Sequence, residues 1–281
     1  MMQTSPDFLI VGAGGRVGRL LVPALRLLGA GLVLTRRGAG PLMSEMTELQ
    51  WSPLDDPEAL PGLLGAVRPA AMLVLAGTTP STGQDMGLNV TLGQACLHAA
   101  RTAGIGRVLL ASSSAVYGVG REAPWHEDDA VDPPSAYGRA KLEMERTCAG
   151  SDVCALRIGN VAGADALLTN PARPLLLDRF PDGGTPERSY IGPQSLARVL
   201  RVLARSPALP PVLNIGAPRP VTMGALARAA DLPVTLREAP PTATARLVLD
   251  CARLETLVPF AQNESTAPEM IAQWRACKED R

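Results

Sequence analysis

Residues 8–18 read FLIVGAGGRVG, a short apolar run that leads directly into a glycine-rich turn. An apolar run of this length is typical of a parallel strand that is buried on both faces of a sheet. Glycines at three-residue spacing allow a tight turn, close approach of backbone N–H groups to a pyrophosphate, and close packing of the next helix. Leucines and a valine at residues 20–25 open that helix, so the stretch predicts dinucleotide binding. The predicted cofactor contacts in this turn are Gly12, Gly15, Arg16, Val17 and Gly18.

The chain continues in a rhythm of short strands, glycine or proline punctuation, and helices. This alternation predicts an α/β fold, a Rossmann-like doubly wound parallel sheet covered on both sides. We expect residues 1–165 to form the dinucleotide-binding domain, with its sheet completed by about residues 188–217. Residues 166–281 should form a small C-terminal α/β subdomain for substrate binding, including a lid.

The second predicted strand ends at Arg36-Arg37, near the place where an NAD-binding fold puts an acidic residue on the ribose 2′-hydroxyl. Two guanidinium groups at this place could hold a 2′-phosphate, which an aspartate would repel. The pair therefore favours NADP as the cofactor. If both side chains are only solvated loop residues, NAD is the alternative.

The catalytic prediction depends on Tyr137 and Lys141, four residues apart in a stretch that Ser135 could cap as a helix. Residues at this spacing lie on one helix face, and a nearby ammonium group would lower the pKa of the tyrosine. Such a tyrosine can transfer protons at neutral pH. Upstream, an apolar strand delivers Ser112-Ser113-Ser114 to its carboxyl end, where ligands of open α/β sheets bind.

Composition narrows the class of protein. The 27 basic residues equal the 27 acidic residues, which gives no sign of nucleic-acid binding. The apolar runs are too short to cross a bilayer and no leader is evident, so we expect a soluble, cytoplasmic protein. The five scattered cysteines predict packed, reduced thiols, and two histidines are too few for a histidine-based metal centre or triad, so no metal is expected.

Several stretches, taken in order, resemble the extended short-chain dehydrogenases/reductases of the NAD(P)-dependent epimerase/dehydratase family. They extend to about Gly216 and include the turn at 12–18, the loop after Ala76, Ser113 to Gly118, Tyr137 to Lys141, Leu156 to Val161, and Asn214 to Gly216. The resemblance implies that Ser113 holds a reacting oxygen, that Tyr137 exchanges a proton with it, and that Lys141 tunes Tyr137 and binds the cofactor ribose. It also implies a cofactor contact at Ala76 and substrate contacts at Ser114, Asn160 and Arg188.

Departures from the family pattern limit the reaction. Ser114-Ala115 stands where dehydratases of this family carry an Asp-Glu pair, which disfavours dehydration. We therefore expect an oxidoreductase or epimerase acting on a hydroxyl or ketone carbon of a small-molecule substrate, with a nucleotide sugar as one candidate. The alternative is a catalytically silent NADP-binding sensor or scaffold. Homodimers are common in the family, so a homodimer is a further expectation.

Overall fold

The computed structural model describes residues 5–37, 47–169 and 174–279. The strands are β1 (Phe8–Val11), β2 (Leu32–Arg36), β3 (Thr47–Gln50), β4 (Ala71–Val74), β5 (Val108–Ser113), β6 (Val153–Ile158), β7 (Asn160–Val161), β8 (Leu175–Arg179), β9 (Glu187–Arg188), β10 (Tyr190–Ile191), β11 (Val212–Ile215), β12 (Val221–Thr222), β13 (Val234–Glu238) and β14 (Arg246–Leu247). The α-helices are α1 (Arg16–Leu27), α2 (Leu60–Leu64), α3 (Leu88–Thr102), α4 (Ala136–Thr147), α5 (Ala166–Thr169), α6 (Pro193–Arg205), α7 (Met223–Ala229), α8 (Ala252–Leu257) and α9 (Ala267–Glu279).

A seven-stranded sheet with the order β11-β6-β5-β4-β1-β2-β3 forms the centre of the molecule. All neighbouring strands in it run parallel. The chain moves from β1 outward to β2 and β3, then crosses back to β4 on the other side of β1. This reversal creates a crevice at the carboxyl ends of β1 and β4, where ligands of such sheets bind. The predicted α/β, doubly wound parallel fold is confirmed.

Strand β1, which is the apolar run before the glycine turn, is buried on both faces of the sheet. Phe8 and Ile10 belong to one hydrophobic cluster, whereas Leu9 and Val11 belong to a second cluster. Successive side chains of a strand point to opposite faces, so both faces of the sheet are covered. Helices α1, α6 and α9 contact one another, and α3 contacts α4.

The C-terminal part forms small sheets around the carboxyl-end side of the molecule. Strand β9 pairs with β12 and β14, and β8 pairs in parallel with β13. Helix α9 packs against α1, α6 and α7, so it belongs to the helical layer of the sheet. The last strand of the central sheet is β11, well beyond residue 165. The proposed boundary between a cofactor domain and a substrate region stays a prediction.

All five cysteines are buried, which confirms the prediction of packed thiols. Within residues 5–37, 47–169 and 174–279, no helix is long and apolar enough to cross a membrane. In the same part of the chain, no group of three or more His, Cys, Asp or Glu side chains is arranged to hold a metal ion.

Candidate active site

A cavity of about 560 Å³ opens at the carboxyl ends of β1, β5 and β6. A second cavity of about 500 Å³ continues from it toward the end of β2. Both are lined by Gly12 and Gly15 of the glycine-rich turn, so the two form one groove. We call this groove the cleft. The predicted residues along its walls are Gly12, Gly15, Arg16, Val17, Gly18, Arg36, Arg37, Ala76, Ser113, Tyr137, Lys141 and Asn160.

Close backbone contacts require glycine at two positions of the turn, Gly12 and Gly18. Gly12 has a φ of 95°, and a Cβ atom built on it would lie 2.4 Å from the backbone nitrogen of Ala76. A Cβ on Gly18 would lie 2.4 Å from the carbonyl oxygen of Ala13. These contacts hold the start of α1 at the wall of the cleft. The first N–H groups of a helix have no intrahelical acceptor, so they suit a phosphate.

Arg36 and Arg37 lie at the far end of the cleft, but they differ in their surroundings. The Nε of Arg36 is 3.2 Å from the Oε2 of Glu48 on the adjacent strand β3. Arg37 is exposed. The Arg36 guanidinium, which the sequence analysis assigns to the cofactor, is thus paired with the carboxylate of Glu48.

The predicted catalytic groups come together in the cleft. The side chain of Ser135 accepts a hydrogen bond of 3.0 Å from the Gly138 N–H, which confirms the predicted cap of α4. A Cβ on Gly138 would lie 2.3 Å from the Ala115 carbonyl oxygen, so α4 packs directly on the 3₁₀ turn Ser114–Tyr117 that follows β5. This packing brings Tyr137 beside Ser113, close enough for Ser113 to lower the pKa of the tyrosine.

Electrostatics in the cleft differ from the expectation for Tyr137. Burial raises the pKa of Tyr137, while the hydrogen bond with Ser113 and the charge of Arg16 oppose that rise. Lys141 Nζ lies 6.0 Å from the Tyr137 ring centroid and donates a hydrogen bond of 2.9 Å to the Ala111 carbonyl oxygen. Burial therefore has the largest effect on the Tyr137 pKa, Lys141 is not among the groups that act on it, and the tuning of Tyr137 by Lys141 stays a prediction.

The pKa of Lys141 is also strongly affected by the surroundings of its side chain. Its side chain is buried, and burial lowers its pKa to about 8, an effect that the charge of Glu145 opposes. An ammonium group with such a pKa changes charge within the range where many enzymes work. Lys141 is thus a titratable group of the cleft rather than a fixed cation.

Arg188 and Ser114, two of the predicted substrate contacts, lie outside the cleft. The Arg188 guanidinium donates hydrogen bonds to the carbonyl oxygens of Glu187, Thr244 and Ala245, at 2.8, 2.8 and 3.1 Å. It does not line the cleft, because these carbonyls hold it within the β9–β14 sheet. Ser114 is buried under α4 and also does not line the cleft. We therefore leave both residues out of the proposed substrate contacts.

Sequence reasoning missed an acidic residue at the substrate side. Asp165, just before α5, lines the cleft and accepts a 2.5 Å hydrogen bond from the Tyr190 hydroxyl. Burial raises the pKa of Asp165, an effect that the bond from Tyr190 opposes. No motif in the sequence points to this residue, because β10 and α5 meet only in the folded chain.

Residues 8–216 match the sequence profile of the NAD dependent epimerase/dehydratase family, so the chain belongs to this family. This confirms the resemblance seen in the motifs and the class of enzyme that it implies. The UDP-glucose 4-epimerase of Azospirillum brasilense is 30% identical over 183 residues, which are 57% of this chain and 51% of that protein. That of Lactobacillus helveticus is 36% identical over 84 residues, which are 28% of this chain and 26% of that protein. The chain thus matches about half or less of these relatives' length.

Solved structures show a similar fold over nearly the whole chain. MoeE5 in complex with UDP-glucuronic acid and NAD has a TM-score of 0.75 and 25% identity, covering 98% of this chain and 100% of that one. The UDP-glucose 4-epimerase from Brucella ovis in complex with NAD has a TM-score of 0.78 and 22% identity. The match covers 95% of this chain and 96% of that one. The second likeness shows the fold alone.

Proposed function

We propose that the chain is an NAD(P)-dependent oxidoreductase or epimerase that acts on a hydroxyl or ketone carbon of a small molecule. The observation that carries this proposal is the meeting of Ser113 and Tyr137 in one cleft with Lys141 and the glycine turn. The relatives' names point to nucleotide-linked sugars as the first substrate class to test. The complex of MoeE5 with UDP-glucuronic acid supports that choice.

The residues present fit a dinucleotide. Gly12 and Gly15 line the cleft, Gly12 allows the close contact of the turn with the Ala76 backbone, and the start of α1 offers N–H groups to phosphates. Lys141, on the wall of the cleft, would hold ribose hydroxyls, and Ala76 would border the adenosine end. When bound, the nicotinamide would supply hydride chemistry at the carbon whose oxygen the protein holds.

The proton transfer is assigned to Tyr137, with Ser113 holding the substrate oxygen. Because burial raises its pKa, the phenol carries its proton at neutral pH and can act as the acid in reduction of a carbonyl. In the direction of oxidation the phenolate is needed. The Ser113 hydrogen bond and the Arg16 charge both favour that ionised form.

A panel of alcohols, ketones and nucleotide sugars, incubated with either nicotinamide cofactor, tests the proposal. Absorbance of the reduced cofactor reports net oxidation or reduction, while chromatography of the products reports epimerisation, which leaves no net change in cofactor. Conversion of at least one substrate class is expected. Tight cofactor binding without any conversion across the panel would favour a silent sensor or scaffold instead.

For the cofactor, we propose a preference for NADP that depends on the exposed guanidinium of Arg37, supported by Arg36. Replacing Arg37 by alanine should weaken NADPH binding by about tenfold or more, the value of a lost charge-assisted hydrogen bond. NADH affinity, measured in parallel by fluorescence titration, should stay unchanged and serves as the control. Equal affinity of the wild-type protein for NADH and NADPH would contradict the preference.

On the substrate side, we propose that Asp165 accepts a hydrogen bond from a substrate hydroxyl, together with Asn160. Asp165→Asn keeps a side chain that can cap α5 but removes the charge. We expect the KM to rise by roughly 3- to 10-fold, as for one lost hydrogen bond, with kcat and cofactor affinity nearly unchanged. Steady-state kinetics on the substrate found in the panel measure this. An unchanged KM would remove Asp165 from the site.

A further inference from the structure

A buried ion pair lies directly behind the proposed catalytic groups. Arg157 Nη2 is 2.8 Å from Glu145 Oε2, and Arg157 Nε donates to both carboxylate oxygens at 3.2 Å. The two side chains are only 6% and 5% exposed. Glu145 follows Lys141 by one turn of α4, and Arg157 lies on β6 just before the residues that line the cleft.

The pair joins three elements that carry site residues. The Ser112 hydroxyl, next to Ser113 at the end of β5, donates a hydrogen bond to Glu145 Oε1. Arg157 Nη1 donates to the carbonyl oxygen of Glu127 at 3.2 Å, and its guanidinium lies 4.8 Å from the centroid of the Tyr117 ring. One carboxylate thus contacts β5 and β6 from the helix that presents Tyr137 and Lys141.

Stability alone is a weak reason for this arrangement. Desolvation of two buried charges largely cancels their attraction, and apolar side chains of similar volume often replace such pairs without loss of stability. The distinctive feature of the pair is its geometry: it holds the negative charge of Glu145 inside the protein, one helical turn from Lys141.

Lys141 has few other groups that could keep it charged. From β5 it meets the Ala111 carbonyl oxygen, and a Cβ on Gly77 would lie 3.3 Å from its Nζ and 2.6 Å from the Asn89 side-chain oxygen. The nearby titratable groups on its own helix are Tyr137 and Glu145, and Arg16 of α1 acts on that tyrosine. Within the described residues, Glu145 is the acid whose charge raises the pKa of Lys141, against the larger opposing effect of burial.

We propose that Glu145 and Arg157 are positioning residues of the active site: the pair fixes α4 against the ends of β5 and β6, and Glu145 keeps Lys141 protonated for cofactor binding. Arg157 in turn holds the Glu145 carboxylate in place through their ion pair. This inference rests on the proposed function, because it assumes that Lys141 holds the cofactor.

The test is the pH dependence of NADH binding between about pH 6.5 and 9.5. NADH is the probe because it carries no 2′-phosphate that would titrate. In the wild-type protein, affinity should fall as pH rises through the pKa of Lys141, which lies at about 8. Glu145→Gln alone would leave Arg157 buried and unpaired, so the main variant is the double substitution Glu145→Gln/Arg157→Met, checked for folding by thermal unfolding.

In the double variant, the inflection of NADH affinity should move to lower pH by roughly one unit, because Glu145 is the partner whose charge raises the pKa of Lys141, and Arg157 is not among the groups that act on it. Glu145→Asp, which keeps the charge, should retain an inflection close to that of the wild type. Lys141→Met should show no inflection in this range.

Two outcomes overturn the inference, and they are distinguishable. An unshifted inflection in a folded double variant, with a flat profile in Lys141→Met, would reject the role of Glu145 and leave the proposed function intact. An inflection that persists in Lys141→Met would reject the assignment of Lys141 to the cofactor, and with it both proposals.

Discussion

Replacing Tyr137 by phenylalanine is expected to reduce turnover by roughly 10²- to 10⁴-fold, the usual contribution of a positioned proton donor. The substitution removes one oxygen atom and leaves the ring in place. Cofactor affinity should therefore stay within about threefold of the wild-type value, because the glycine turn and Lys141 are unchanged. Such a separation of kcat from cofactor binding is expected only if the phenol acts in the chemical step.

Tyr117→Phe is the matched control for this prediction. Its hydroxyl donates a 2.6 Å hydrogen bond to Asn214 and is buried away from the cleft. Removing it should lower the free energy of unfolding by about 1 kcal/mol, as for a lost buried hydrogen bond, but leave turnover within a few-fold. Steady-state kinetics and thermal unfolding of both variants give the comparison. Full activity in Tyr137→Phe would end the assignment of that residue.

Gly12→Ala is expected to abolish measurable cofactor binding and to destabilise the fold. At a φ of 95° an alanine is strained, and its Cβ would lie 2.4 Å from the backbone nitrogen of Ala76, which cannot move without shifting the end of β4. The strained backbone and the overpacking together should cost roughly 2 to 5 kcal/mol. The loss of cofactor affinity should exceed about 100-fold, since the turn that faces the pyrophosphate would be displaced.

Gly14→Ala is the control, because Gly14 lies in the same turn and a Cβ built on it meets no atom within 4 Å. It should leave the unfolding midpoint unchanged, whereas Gly12→Ala should lower it clearly. Thermal unfolding without ligand, followed by NADPH titration, separates the structural effect from the effect on binding. A Gly12→Ala protein that is as stable as Gly14→Ala and binds NADPH normally would contradict the described turn.

The fold, and the side chains that meet in the cleft, could be predicted because they are encoded in local sequence. The apolar run before Gly12 had to be a buried strand, and the glycine spacing fixed the turn and the helix after it. Ser135 caps α4 as its sequence position indicates, which puts Tyr137 and Lys141 on one face of that helix. Each of these predictions depends only on residues that are close to one another in the sequence.

The features that sequence reasoning missed all depend on contacts between distant elements. Arg188 resembles a phosphate-binding arginine, yet its guanidinium donates to the carbonyl oxygen of Glu187 and to those of Thr244 and Ala245, just before β14, and does not line the cleft. Arg36 pairs with Glu48 only because β2 and β3 are neighbours in the sheet. The pKa of Tyr137 follows from burial, which a one-dimensional pattern of residues does not give.

A crystal structure of the wild-type protein with bound NADPH tests the central claim most directly. We predict that the dinucleotide lies along the cleft, with its 2′-phosphate near Arg37 and its nicotinamide beside the Tyr137 hydroxyl. The Lys141 ammonium should contact the ribose next to that nicotinamide. A dinucleotide bound outside the cleft, or a Tyr137 hydroxyl directed away from the nicotinamide, would contradict the proposed enzymatic function.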